Sequence, residues 1–226
     1  MKKIILHLFL LTTITVVSQE TKIKFGVQAG LNYSNLRGYT IPSQYNALYN
    51  ESPAFAYLIG FNAEYQLKNR LSLRAELSYE RKTQKADNVI ELWQSFEEPS
   101  QTYRFVSKKH YDYLVLPVLV KYRFTTKNSF YMNGGPFVGY LLKSKLTNDL
   151  NAPGVTNEDV DTTSDNQKTD FGLSFGFGKE ISVSQKNAIS IEIRDNLGLS
   201  NTSKIDVWNG GTVKTNSLNL LVSYSF

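Results

Sequence analysis

The sequence predicts an all-β chain, an eight-stranded antiparallel up-and-down transmembrane β-barrel with short periplasmic turns and long extracellular loops. Three observations predict it. Eight segments alternate apolar and polar residues with a period of two, each about as long as the ~9–11 residues a tilted membrane strand needs. The connections between them alternate short and long. One face of the alternation collects nearly all the charge, and the other almost none.

The chain begins MKKIILHLFLLTTITVVSQE, two lysines followed by an apolar run from Ile4 to Val17. Val16 and Ser18 stand three and one before a cut that leaves Gln19 as the new amino terminus, so residues 1–18 read as a cleaved secretory signal and 19–226 as the barrel domain. The run is shorter than the ~17–25 residues of a spanning helix. With no cysteine, the chain has neither disulfides nor a cysteine-linked lipid. Loss of Lys2 and Lys3 lowers the formal charge from +5 by two, which gives no argument for nucleic acid.

The first strand, 24–34, sets Phe25, Val27, Ala29, Leu31 and Tyr33 on one side. The second, 55–67, sets Phe55, Tyr57, Ile59, Phe61, Ala63, Tyr65 and Leu67 against Asn62, Glu64 and Gln66. The third, 71–80, sets Leu71, Leu73, Ala75, Leu77 and Tyr79 against Arg74, Glu76 and Glu80. Segments 111–124, 130–142, 169–183 and 188–200 follow, and the last strand starts near Lys214. Turns at 68–70, 125–129 and 184–187 are short, whereas 35–54, 81–110, 143–168 and 201–213 are long. An even strand number puts both chain ends in the periplasm.

A soluble barrel of lipocalin type would show the same period with its apolar face inside. The charged face rules this out. Glu64, Arg74, Glu76, Lys121, Arg123, Glu180, Glu192 and Arg194 cannot line an apolar pocket, but can pair in a lumen only just wide enough for side chains. The apolar face then meets lipid, where Arg or Lys at mid-depth costs ~2–4 kcal/mol. Register across the 68–70 turn sets Glu64 opposite Arg74, and a salt bridge between them is expected.

The chain ends SLNLLVSYSF, alternating to its last residue. The last strand must close on the first, since an unpaired backbone group in lipid costs several kcal/mol. Terminal Phe226, with Tyr224 two before it, resembles the signal read by the outer-membrane assembly machinery. Phe25, Tyr65, Tyr122, Phe124, Phe130 and Phe226 should form a periplasmic aromatic girdle, and Tyr33, Tyr57, Tyr79, Tyr113 and Tyr140 an outer one. Pro117 and Pro136 fall nearly opposite each other in adjacent strands, with a bulge or kink expected beside Gly134 and Gly135. Asp195 falls on the outward face, either at the outer interface or turned in by a bulge.

The runs DYLVLPVLVKYRF, FYMNGGPFVGYLL, DFGLSFGFGKEI and RDNLGLSN resemble the PorT-type outer-membrane β-barrel (porin) family of Gram-negative bacteria, across residues 20–226. The resemblance implies a small barrel in the outer membrane and raises an accessory role in type IX protein secretion.

Catalysis would most naturally use His110 with Asp112 two residues on, a pair that reads instead as rim polarity. Glu76 and Glu80 read as lumen packing, and the acidic stretch 159–166 lacks the glycine and final glutamate of a calcium loop. No cofactor, metal or catalytic set is expected. In loop 81–110, flanking Arg81, Lys82, Lys85, Arg104, Lys108 and Lys109 suit the phosphates of lipid and lipopolysaccharide, while Trp93, Phe96, Tyr103 and Phe105 are candidate contacts for a protein partner. The function expected is that of a non-enzymatic barrel with a filled lumen, acting in envelope structure or partner contact. A secretion accessory and a narrow pore are the alternatives.

Overall fold

The computed structural model describes residues 23–226 apart from 46–47, 94–98, 127 and 153; the signal segment and Phe96 lie outside the described residues. The strands are β1 (Ile23–Arg37), β2 (Tyr49–Lys68), β3 (Leu71–Leu92), β4 (Gln101–Arg123), β5 (Phe130–Asp149), β6 (Val160–Asp161), β7 (Thr169–Ser182), β8 (Ala188–Gly198) and β9 (Lys214–Ser225). Eight of them form an antiparallel ring in chain order, closed by β9 on β1, and two-residue β6 adds to the upper part of β5.

Closure runs to the chain end. Val27 faces Tyr224, and Phe25 and Phe226 exchange backbone hydrogen bonds of 2.8 and 3.3 Å. The terminal alternation is thus the price of having no edge in lipid.

The period of two separates two environments. Outward side chains stay open, Phe61 at 69% and Ile193 at 57%, whereas inward Ser217 is fully covered. Two aromatic belts bound the apolar wall. Tyr122–Phe124 and Phe130–Phe177 at 5.7 Å, with Tyr224–Phe226 at 6.3 Å, lie at the short-turn end. Tyr33–Phe55 at 4.8 Å and Tyr57–Tyr79 at 6.0 Å lie at the other. Tyr113 is not in this outer belt. It shares the parity of Lys121 on β4 and is fully buried in the lumen. Asp195 keeps its outward direction and pairs with Leu218, itself opposite Tyr33, which puts it at the level of the outer belt.

The strands outrun the apolar pattern. β3 has 22 residues and β4 has 23, and they pair from Leu71–Tyr122 up to Leu92–Gln101. Segment 81–110 is therefore mostly a tall hairpin rather than a loop, and 49–54 and 143–149 likewise extend β2 and β5. Backbone pairing does not stop where lipid stops, but the requirement for apolar outward residues does. Thr83, Lys85 and Asp87 consequently hide the strand from a reading based on hydrophobic alternation.

The prolines interrupt the β4–β5 ladder without shifting it: Pro117–Phe137 and Val120–Gly134 keep one register, with the two pairs between them missing. A Cβ on Gly135 would sit 2.0 Å from the Val118 carbonyl oxygen, so the strands approach closely where the proline N–H groups are absent. The expected bulge lies elsewhere, between Asp112 and Tyr113 against Leu141 and Lys143. It leaves Leu142 and Lys143 both exposed and resets the parity of upper β5.

Candidate functional site: the filled lumen and its outer mouth

Next to the short turns, Glu64 (β2), Lys121 and Arg123 (β4) and Glu180 (β7) form one ionic cluster. Lys121 Nζ lies 3.0 Å from Glu64 and 2.6 Å from Glu180; Arg123 Nη2 lies 2.5 and 2.9 Å from the same carboxylates. Arg123 Nη1 also donates to Ser72 Oγ at 2.7 Å, and Lys121 Nζ stands 4.1 Å over the Tyr131 ring. A cavity of about 560 Å³, lined in part by Lys24, Gln66 and Asn69, opens below.

One layer up, Arg74 and Glu76 (β3) meet Glu192 and Arg194 (β8) across the axis. Arg194 chelates Glu76 at 2.7 and 2.8 Å and donates through Nε to Glu192 at 2.6 Å. Arg74 Nε lies 2.8 Å from Glu76 Oε1, a charge contact outside hydrogen-bond alignment, and Arg74 Nη1 lies 3.7 Å from Glu192. Gln28 donates to Glu76 at 2.7 Å, and the Tyr131 hydroxyl donates to Glu192 at 2.8 Å. All four charged groups are buried, which only paired charges tolerate.

Glu64 and Arg74 do face each other in register, with a bulge at Leu67 absorbing one residue of the turn, but they form no salt bridge. Glu64 leans toward the turn end, where two cations share it. Arg74 leans the other way, toward two carboxylates and the Gln28 carbonyl, 2.7 Å from its Nη2. Each multiply bonded group takes the neighbour set that satisfies more of its hydrogen-bonding atoms.

Above these clusters the void shrinks to about 10 Å³, room for about one water. Glu80 accepts from Ser217 Oγ at 2.6 Å and Asn196 Nδ2 at 3.3 Å. Lys82 Nζ reaches Asp170 at 3.3 Å and Thr215 Oγ1 at 3.0 Å. Lys82 is thus an inward residue with no access to lipid phosphate, and so is Lys109. Tyr111, Tyr113, Val115, Phe137 and Leu141 then pack as an apolar plug, with Leu36 against it. Asp170 shares the inward parity of Ser174 on β7, Tyr111, Tyr113 and Val115 that of Arg123 on β4, and Phe137 and Leu141 that of Tyr131 on β5, a signal that reading only charged strand centres misses.

The plug is the floor of a cavity of about 540 Å³ at the outer mouth. Its walls come from described residues of the connections before β2 and before β9, the upper parts of β2, β3 and β4, and Leu146 of β5. Tyr39 donates to Glu51 at 2.5 Å and accepts from Gln84 Nε2 at 3.0 Å. Burial, then Glu51, pushes the Tyr49 hydroxyl up to about 12.

A family model described as an outer membrane protein beta-barrel domain matches residues 17–204. The chain belongs to that family. Among solved structures, this outer-membrane barrel is similar to Neisserial surface protein A, with 17% identity over 89% of this chain and 95% of that one and a TM-score of 0.41. It is also similar to Ail, the attachment invasion locus protein of Yersinia pestis, in complex with the heparin analogue sucrose octasulfate (14% identity, 90% and 99% covered, TM-score 0.38). OprG from Pseudomonas aeruginosa is a third (11%, 90% and 95%, 0.39). Comparison with curated proteins gives no match.

In this outer-membrane barrel the polar pairs are occupied structurally. His110 Nδ1 lies 2.9 Å from Thr83 Oγ1, while Asp112 is held by Arg81 at 2.6 and 2.9 Å, so His110 and Asp112 form no dyad. Burial, then Arg81, lowers the His110 pKa. Trp93 is 69% exposed at the hairpin tip, Tyr103 donates to Gln101 at 2.8 Å, and Phe105 pairs with Asn88 below it. In 159–166, Asp159 pairs with Lys145 at 2.5 Å, and among the described residues no group of carboxylates and histidines could hold a metal.

Proposed function

We propose that the protein is a non-enzymatic, non-conducting barrel whose work is done at its extracellular end, in envelope structure and in contact with a partner or ligand. One observation carries this reading: two ionic clusters and an apolar plug fill the lumen in succession, so an ion or solute meets no continuous water path. Export would use cleavage after Ser18, and insertion the terminal Tyr224 and Phe226. The outward cations Lys108 and Lys143 suit lipopolysaccharide phosphates. Recording from the purified barrel in a planar bilayer tests the reading. No steady conductance is expected, and a reproducible open level would replace the anchor with the narrow pore.

A second reading rests on the PorT-type runs, which occupy β4, β5, β7 and β8. It makes the barrel an accessory of type IX secretion. Retention of secretion components on the intact tagged barrel supports it, and normal export of cargo in a deletion strain removes it.

A further inference from the structure

We infer that the outer mouth is a binding pocket for a small amphiphile with one acidic group, the acid seated on Lys109 and Tyr111 and the apolar body against the surrounding wall. The inference deepens the contact role proposed above and rests on it.

The cavity, about 540 Å³, lies within the ~300–1,000 Å³ of small-molecule sites. Leu36, Ile41, Leu48, Leu146, Ile205 and Val207 make its wall chiefly apolar. Two polar groups within it lack partners. Lys109 makes no ion pair among the described residues; its Nζ stands 5.2 Å over the Tyr111 ring, and burial lowers its pKa although Asp165 and Glu51 act to raise it. The Tyr111 hydroxyl is the second. The residue is 1% exposed, its hydroxyl has no hydrogen-bond partner, and it feels Tyr39, Glu51 and Tyr49, which themselves line the cavity.

An unpartnered buried hydroxyl and a desolvated, unpaired amine are both unfavourable in an apolar setting. The one carboxylate in the lining, Glu51, already accepts from Tyr39. A single acidic head supplies what is missing: an acceptor for the Tyr111 O–H and a counter-charge for Lys109. With one cation and one hydroxyl at the seat, a monoanion fits better than a phosphate dianion. The apolar wall demands a hydrocarbon or aromatic body.

The test uses the folded barrel in lipid nanodiscs, titrated with decanoate and followed by backbone amide shifts, with 1-decanol and decylammonium as matched probes. Decanoate should saturate shifts around Ile41, Leu48, Lys109 and Ile205. Lys109→Met should weaken it about tenfold or more, since a hydrogen bond to a charged group is lost. Lys109→Arg should stay within about threefold, and Tyr111→Phe should fall between. Unchanged spectral dispersion shows that each variant is folded. Equal binding of decanol and decanoate, an unaltered Lys109→Met, or shifts confined to belt residues such as Phe61 and Ile193 would overturn the inference. Conductance of the same preparation tests the sealed reading separately, so failure of one is distinct from failure of the other.

Discussion

Arg194 on β8 holds both carboxylate oxygens of Glu76 on β3, at 2.7 and 2.8 Å, across the axis of the barrel. The two strands are not neighbours in the ring, so this pair ties opposite walls together. Arg194→Met leaves Glu76 and Glu192 short of a counter-charge and should destabilise the barrel by about 3–5 kcal/mol. Urea unfolding in detergent, followed by the mobility difference between folded and unfolded barrel, measures it. Arg194→Met with Glu76→Gln should recover part of the loss, because one lone carboxylate is removed. An undiminished deficit in the double variant would contradict the pairing.

Gly135 faces the Val118 backbone so closely that a methyl group must displace main chain rather than a side-chain tip. Gly135→Ala should sharply lower the folded fraction on refolding into detergent. Gly154→Ala, in open space but at φ +73, should cost far less. Equal yields would show that the β4–β5 contact is looser than described.

Eight strands, their order and the inward direction of the charges are all legible in the sequence, because lipid on one side and a narrow lumen on the other force a period of two. Partner choice within the lumen is not. Glu64 and Arg74 oppose each other in register, yet their long side chains lean along the strands to other layers, a freedom that pairwise register cannot capture. The height of β3 and β4 is equally hidden, since above the membrane outward Lys85 and Asp87 face water. Tyr113 betrays its lumen position only through shared parity with Lys121.

The lumen is closed at more than one level, so opening the lower level alone should not make a channel. Lys121→Ala with Arg123→Ala removes both cations of the short-turn cluster but leaves Arg74, Glu76, Glu192, Arg194 and the plug. Planar-bilayer recording should still show no steady current. A stable open level in this variant would mean that the first cluster is the sole seal.

His110 gives the hairpin a pH dependence. Its folded pKa is lowered, by burial first and by Arg81 next, with Lys108 and Lys145 adding to the effect and Asp112 opposing it. The unfolded chain therefore binds the proton more readily. The neutral form's stabilisation is complete above the unfolded value of ~6.5 and is lost as pH falls through the folded pKa. Between pH 7.5 and 5, wild type should lose more thermal stability than His110→Gln. Parallel curves would remove His110 as the source.

Among the described residues of 89–104, ladder pairing runs only within the hairpin, since β2 follows β3 up to Asn88 and β5 follows β4 down from Val106; the one backbone bond that leaves it runs from the Val89 N–H to the Leu48 carbonyl at 3.0 Å. Replacing 89–104 by Asn-Gly, a two-residue turn suited to tight hairpins, should leave folding and heat-modified mobility intact. It also removes Trp93 and Tyr103, so a partner that still binds the shortened barrel docks elsewhere.

From Arg81 to Leu92, β3 continues for roughly 40 Å of chain beyond the outer aromatic belt at ~3.3 Å per residue, and β4 accompanies it. This mast is off-centre, and its roots carry Arg74, Glu76, Glu80, Lys121 and Arg123. Force applied at the tip is therefore delivered as leverage onto the interlocked charges far beneath it, and the same bonds that stop the bore also moor the mast.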